Sequence, residues 1–192
     1  MLREKLQHYN VILASGSPRR QQFFKDLDID FSIQLKPIQE IYPEELKRTA
    51  ITDYLADLKS KAFINLDEKD VLITSDTIVW LDDKALGKPK NEKEAFTMLR
   101  SLSGKKHEVI TSISIKNNNN HQIISDVTKV TFKDLSDEEI NYYIKNYKPF
   151  DKAGAYGIQE WIGFIGITNI EGSYFNVVGL PVHKLYAALM KL

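Results

Sequence analysis

The chain contains no cysteine, so disulfides and thiolate chemistry are excluded, and a metal could be held only by oxygen ligands or by the four histidines. Those histidines, His8, His107, His121 and His183, show no ligand-like spacing. Nor is there an excess of charge of either sign: Lys plus Arg and Asp plus Glu each total 26, giving a formal net charge of zero. Without a basic surplus the sequence advertises no binding to nucleic acid or to an anionic membrane, and any anion site must be local. No apolar run approaches the ~18 residues of a membrane span, and MLREKLQHYN lacks the apolar region of a secretion signal. A cytoplasmic protein is the expectation. Neither GxxxxGKS/T nor GxGxxG occurs, which leaves Walker and Rossmann phosphate sites without support.

What is present suits one domain over residues 1–192, since 43% of the residues are hydrophobic and 27% charged. VILAS (11–15) reads as a strand, and Ser17-Pro18 then supplies a cap and a proline at the first helical position. Phe31 to Leu35 alternates like a half-buried strand, and KPIQEIYPEELK after it reads as a loop. From Thr49 to Phe63, Ile51, Tyr54, Leu55, Leu58 and Ala62 recur at helical spacing. VLITSDTIVWL (71–81) is rich in β-branched residues and predicts a buried central strand.

Asp82-Asp83-Lys84 turns the chain, and Asn91 with Glu94 predicts a capped helix from Glu92 to Leu102. HEVITSISIK and HQIISDVTKVTF flank four consecutive asparagines, a hairpin signal resting on the tolerance of Asn for positive φ. Ser136 precedes an acidic first turn for a helix to about Asn146, and Leu180-Pro181 starts a last amphipathic helix. The glycine-rich, apolar stretch from Lys148 to Gly179 reads as packed loops and short strands around a site.

Three places could carry chemistry. The turn from Ser15 to Arg20 could hold phosphate through backbone N–H groups, hydroxyls and guanidinium donors, although a capped helix with solvated arginines fits the same residues. Asp76 interrupts the apolar strand, where a carboxylate is costly unless paired, bound to metal or exposed at a strand end. The hairpin expected beyond it can fold Lys88 back toward that acid, while Lys61 projects from a helix; either lysine could equally be solvated. Asp151-Lys152 and Gly154 to Gln159 form the third cluster. The Gln159 amide carries both a donor and an acceptor, so it can pair with the adjacent N–H and carbonyl of uracil or thymine. An amide can also flip to suit cytosine, so selectivity requires neighbours that lock it, and a loop glutamine bonded to local backbone is the simpler alternative.

ILASGSPRR, SDTIVW, LGKPKNEKEAFTMLRSLSGKKHEVITS, DKAGAYGIQ and IEGSYFNVVGLP, in this order along almost the whole chain, resemble the Maf family of nucleoside triphosphate pyrophosphatases. The resemblance implies an α/β fold akin to the inosine triphosphate pyrophosphatases, with an elongated mixed central sheet flanked by helices and a cleft between two lobes. It also implies cleavage between the α and β phosphates with a divalent metal, Mg²⁺ or Mn²⁺, in a protein that is commonly a homodimer. AYGIQ (155–159) and EGSYFNVVGLP (171–181) match the branch acting on dTTP and UTP. On that resemblance Asp76 is the catalytic aspartate, which orients or deprotonates the attacking water, Thr77 its neighbour, Arg19 the first arginine of SPRR and Gln159 the specificity glutamine. Ser15, Ser17, Arg20, Lys61, Lys88, Asp151 and Lys152 are further substrate-binding candidates, and Glu40 with Asp76 the metal ligands. A nucleotide-binding regulator of septum formation, without turnover, is the alternative the family name suggests. Two departures stand out: Ser75 replaces the usual alanine before Asp-Thr and could add a hydrogen bond, and LKPIQEIYP is less acidic than the family's segment around Glu40.

Overall fold

A computed structural model describes all 192 residues. In chain order the elements are α1 (Leu2–Leu6), β1 (Asn10–Leu13), α2 (Pro18–Asp26), β2 (Phe31–Ile33), α3 (Thr49–Lys61), β3 (Asp70–Leu81), β4 (Lys84–Leu86), α4 (Glu92–Leu102), β5 (Lys106–Lys116) and β6 (His121–Phe132). There follow α5 (Asp137–Tyr147), a 3₁₀ turn (Ala153–Ala155), α6 (Trp161–Gly166), β7 (Ile167–Glu171), α7 (Tyr174–Val178) and α8 (Val182–Leu189). The strands make one seven-stranded mixed sheet in the order β2-β1-β3-β5-β6-β7, with β4 on the far half of β3. Strand β1 runs parallel to β2 and β3, whereas β4 and β7 are antiparallel to their neighbours. No helix is long and apolar enough to cross a membrane.

Contacts group the chain into two compact units, the first made of Met1–Asp76, Thr111–Asp126 and Gly179–Leu192, the second of Thr77–Ile110 and Val127–Val178. Each has its own core. In the first, Leu13, Val71 and Ile73 of the parallel strands pack with Phe24, Ile113, Leu180, Leu185 and Leu189. In the second, Val79, Leu99, Leu102, Val130, Phe132, Ile140, Tyr143 and Ile162 come together.

Local signals explain most element boundaries. Asn91 accepts the Glu94 backbone N–H at 2.9 Å, and Ser136 with Glu139 forms a reciprocal capping box, so α4 and α5 begin where their caps dictate. Helix α5 stops at Lys148, which takes the left-handed conformation ahead of Pro149. The turn between β3 and β4 uses Asp82 and Asp83 at φ 48° and 59°, the twist that a two-residue hairpin requires.

The asparagine tract behaves differently from the expectation. No residue in it takes positive φ; instead the Asn117 side chain accepts the backbone N–H groups of Asn119 and Asn120, at 2.9 and 2.7 Å. Side-chain mimicry of the backbone closes this turn. The glycine-rich stretch is also more helical than expected, containing α6 and α7. A Cβ on Gly163 would lie 2.0 Å from the Ile158 carbonyl oxygen, so this glycine lets a helix lie against the preceding loop.

His107 is buried in the second core, edge-on to Phe132 and Tyr156, with Nε2 2.8 Å from the Tyr156 hydroxyl. Burial lowers its pKa from 6.5 to about 4, so the ring is neutral near pH 7. The unfolded chain therefore binds the extra proton first as pH falls. Stability held above pH 6.5 is expected to decline between 6.5 and about 4, by about 3 kcal/mol in all. Urea unfolding at stepped pH checks this, and His107→Phe should flatten the decline across that window.

Candidate active site

Asp76 lies in the middle of β3, a strand buried at every position except the half-buried Thr77. Its carboxylate is not left alone: the Lys59 ammonium donates to Asp76 Oδ1 at 2.5 Å and also sits 2.9 Å from Glu40 Oε1. The side chains of Lys59 and Asp76 are only 16% and 10% exposed, so each neutralises a charge that would otherwise be costly to bury. Helix phase decides which lysine does this. Thr74 donates its hydroxyl to the Ala56 carbonyl at 2.6 Å, which fixes α3 over β3. One further helical turn covers about 5.4 Å and two strand residues about 6.7 Å, so Lys59 follows Ala56 as Asp76 follows Thr74.

Lys61, named as a candidate from the sequence, is not brought into this group. Its side chain is 69% exposed and pairs with Asp57 one turn earlier on the same helix, at 2.6 Å, a contact that raises its pKa. Helical spacing alone sets Lys59, like Lys61, off the apolar face read from the sequence and does not single it out as a site residue, because two lysines so close together look alike until the helix has a partner. The apolar series Ile51, Leu55 and Ala56 was the available signal, since Lys59 continues it at i+3 and i+4.

The turn after β1 packs its polar groups around Ser15, which is buried. Ser15 Oγ accepts the Ser17 backbone N–H at 3.3 Å, while Ser17, the N-cap residue of α2, makes no side-chain cap bond. Arg20 donates from Nε to the Gly179 carbonyl and from Nη1 to the Ser75 carbonyl, both at 2.9 Å, and also from Nη1 to Ser15 Oγ at 3.4 Å. Burial lowers its pKa to about 10 against the opposing pull of Asp76, so it stays charged at neutral pH. Arg20 thus ties the turn to β3 and to the start of the C-terminal segment. Arg19 beside it is half-buried. Gly16 needs no special backbone, and a Cβ there would meet only Leu35, at 3.6 Å. The hydrogen bond expected of Ser75 is not made, for its hydroxyl is buried without a partner.

The second unit holds the remaining candidates. Lys88 is exposed beyond the short β3–β4 ladder, which ends at the Val79–Leu86 pair. Lys152 is not a free cation: its side chain is 9% exposed, and its ammonium lies 2.7 Å from Asp151 and 3.1 Å from Glu160. Gln159 sits in the loop between the 3₁₀ turn and α6, with its amide oxygen buried and unpartnered. Glu160 and Tyr143, neither of them singled out by the sequence, are hydrogen-bonded to each other beside it.

No three His, Asp or Glu side chains gather as a metal-binding group. Glu40 and Asp76 do converge on one ammonium, so two oxygen donors of the kind a hard cation prefers are close together. A cation held there would need its other ligands from phosphate oxygens and water.

Comparison with known proteins gives concordant results. The family description "Maf-like protein" matches residues 10–192. A Flavobacterium johnsoniae protein named dTTP/UTP pyrophosphatase is 63% identical over the whole of both chains. A protein of the same name from Flavobacterium psychrophilum is 61% identical, over 99% of this chain and 98% of its own. Among solved structures, the Staphylococcus aureus Ham1 protein superposes with a TM-score of 0.53 at 14% identity, covering 95% of this chain and 98% of that one. A HAM1 protein from Coxiella burnetii gives 0.52 at 15% identity, over 96% and 100%. At such identities the likeness concerns the fold alone.

The two lysines of α3 separate cleanly by stability. Lys59→Met leaves Asp76 buried without its closest cation and is expected to cost about 3 kcal/mol at pH 7. Lys61→Met, which removes an exposed pair, should stay within about 0.5 kcal/mol. Equilibrium urea unfolding of both variants measures the difference.

Proposed function

The chain belongs to the Maf family, and from that premise we propose how its two polar groups divide the work of hydrolysing dTTP and UTP to the monophosphate and pyrophosphate. The protein is a nucleoside triphosphate pyrophosphatase, as its full-length relatives at 63% and 61% identity are named. The reaction breaks the bond between the α-phosphorus and its bridging oxygen to the β-phosphate, and water supplies the new oxygen. Negative oxygens shield that phosphorus, so charge must be neutralised and the water oriented before attack is useful.

In this reading Ser15, Ser17 and Arg19 hold the triphosphate at the α2 N-terminus, with Lys59 adding positive charge, and Lys88 of the second unit is a further substrate-binding candidate. Arg20 keeps the turn in shape from behind. Gly16 has no internal packing reason to be glycine, which supports close approach of a phosphate to this backbone. Asp76 orients the attacking water and accepts its proton, with Thr77 beside it in the strand. Glu40 and Asp76 would hold a divalent cation, Mg²⁺ or Mn²⁺, whose chemistry there is to neutralise phosphate charge and acidify water.

The observation that carries the choice of base is the buried, unpartnered amide oxygen of Gln159. A buried acceptor without a donor costs about 1–3 kcal/mol. Thymine and uracil present an N–H between two carbonyls, which satisfies that oxygen and gives the amide N–H a carbonyl as well. Cytosine presents a bare ring nitrogen at the same place and leaves the oxygen unpaired. Asp151 and Lys152 support the loop that carries this residue.

Purified protein with Mg²⁺ or Mn²⁺ is expected to release pyrophosphate, not orthophosphate, from dTTP and UTP in preference to CTP, ATP and GTP. No turnover by folded, metal-supplied protein would favour a nucleotide-binding regulator instead. Asp76→Asn should lower kcat at least about 100-fold while the circular dichroism spectrum is kept. Gly16→Ala should leave the melting temperature unchanged and raise the KM for UTP, because the added methyl finds room in the fold but not under a phosphate.

A further inference from the structure

Selective reading of a base by Gln159 requires that its amide not flip, yet the amide oxygen has no protein partner to hold it. What the structure does fix is the backbone on either side, and with it the place where the amide stands. Residues 157–160 close on themselves, since the Glu160 backbone N–H donates to the Gly157 carbonyl at 3.1 Å. The Gly157 N–H in turn donates to the Tyr143 hydroxyl at 3.1 Å, and that hydroxyl donates to Glu160 Oε2. Lys152 clamps the same carboxylate from another side, at 3.1 Å. The Glu160 carbonyl then starts α6 by accepting the N–H groups of Gly163 and Phe164, at 2.9 and 3.2 Å.

We propose that Tyr143, Glu160 and Lys152 are positioning residues that hold the loop so that the Gln159 amide stands where it can pair with the edge of uracil or thymine, and so support the preference for these bases over cytosine. The proposal rests on the reading of Gln159 given above. Its anchor is Tyr143, which is fully buried on α5 and stacks on Tyr147 with centroids 5.1 Å apart. Burial first and the Glu160 carboxylate second push its hydroxyl well above the usual phenol range, so it remains a donor throughout neutral pH. Gly157 fits the same design: a Cβ there would lie 2.9 Å from Glu160 Cδ, so the carboxylate can fold over the loop only where the side chain is absent. A phenol with two partners and an ammonium between two carboxylates form a satisfied, low-dielectric network that resists displacement. The residues act through the loop and touch no reacting atom.

The test compares kcat and KM for UTP and CTP in the wild type, Gln159→Ala, Tyr143→Phe, Glu160→Gln and Glu160→Ala, with folding checked by circular dichroism. Tyr143→Phe is expected to lower the UTP-over-CTP ratio of kcat/KM about tenfold, the weight of one buried hydrogen bond, with kcat for UTP held within about twofold. Glu160→Gln, which can still accept from Tyr143, should keep more of the ratio than Glu160→Ala. An unchanged ratio in the folded variants, or an equal fall in kcat for every nucleotide, overturns the proposal. Should Tyr143→Phe fail to fold, the Glu160 pair decides alone. If Gln159→Ala itself leaves the ratio unchanged, or the wild type shows none, base reading by Gln159 fails and the positioning role falls with it. If Gln159→Ala abolishes the ratio while the network variants keep it, only the positioning role falls.

Discussion

A carboxylate placed in the middle of a buried strand is the constraint around which the first unit is arranged. Removing a charge from water costs several kcal/mol even after relaxation, so Asp76 can exist in β3 only with cations brought to it. Lys59 comes from α3, and its position depends on the Thr74 hydroxyl holding the Ala56 carbonyl one turn earlier. Arg20 comes from α2, feels the Asp76 charge, and binds the Ser75 carbonyl immediately before it. The same guanidinium reaches the Gly179 carbonyl, so the carboxylate sets the placement of two helices and of the C-terminal segment. The side chain proposed to act on the substrate is thereby part of the packing as well.

Features that depend on near neighbours were legible in the sequence. The β-branched run of β3, the caps of α4 and α5, and the Asp-Asp turn each specify themselves within four or five residues. Asp76 could be picked out because a lone acid in such a run is anomalous whatever surrounds it. The choice between Lys59 and Lys61 could not be made locally, since it turns on which face of α3 meets the sheet, and that is a tertiary fact. Glycine misled for a related reason. Gly163 and Gly166 read as loop residues, yet they lie in α6, where Gly163 is small because Ile158 lies against it and Gly166 because the Leu135 side chain would be 3.2 Å from a Cβ. Absence of a side chain signals close approach as often as a turn.

The Tyr143–Glu160 pair was illegible for a different reason: neither residue type is unusual, and the two are separated by 17 positions. Only the fold of the second unit places a tyrosine from α5 under the loop after the 3₁₀ turn. Lys152 is visible in the sequence as a cation and reads there only as a substrate-binding candidate beside Asp151. Its 9% exposure and its two carboxylate partners give it a structural charge to balance instead.

The two polar groups obey opposite electrostatic logic. Around Asp76 the charges are paired and close, an arrangement suited to the chemistry on a polyanion proposed above. Around Gln159 the amide oxygen is neutral, buried and unpartnered. In the reading proposed above, a penalty of about 1–3 kcal/mol would be recovered when the incoming base donates, which corresponds to discrimination of roughly 5- to 150-fold. That difference survives only if the amide cannot turn over to offer its N–H instead, because a flip would satisfy cytosine at little expense. On the proposal made above, the place of the glutamine amide depends on the four residues that carry it, and a charged, partnered network is the means by which a glycine-rich loop can be made stiff.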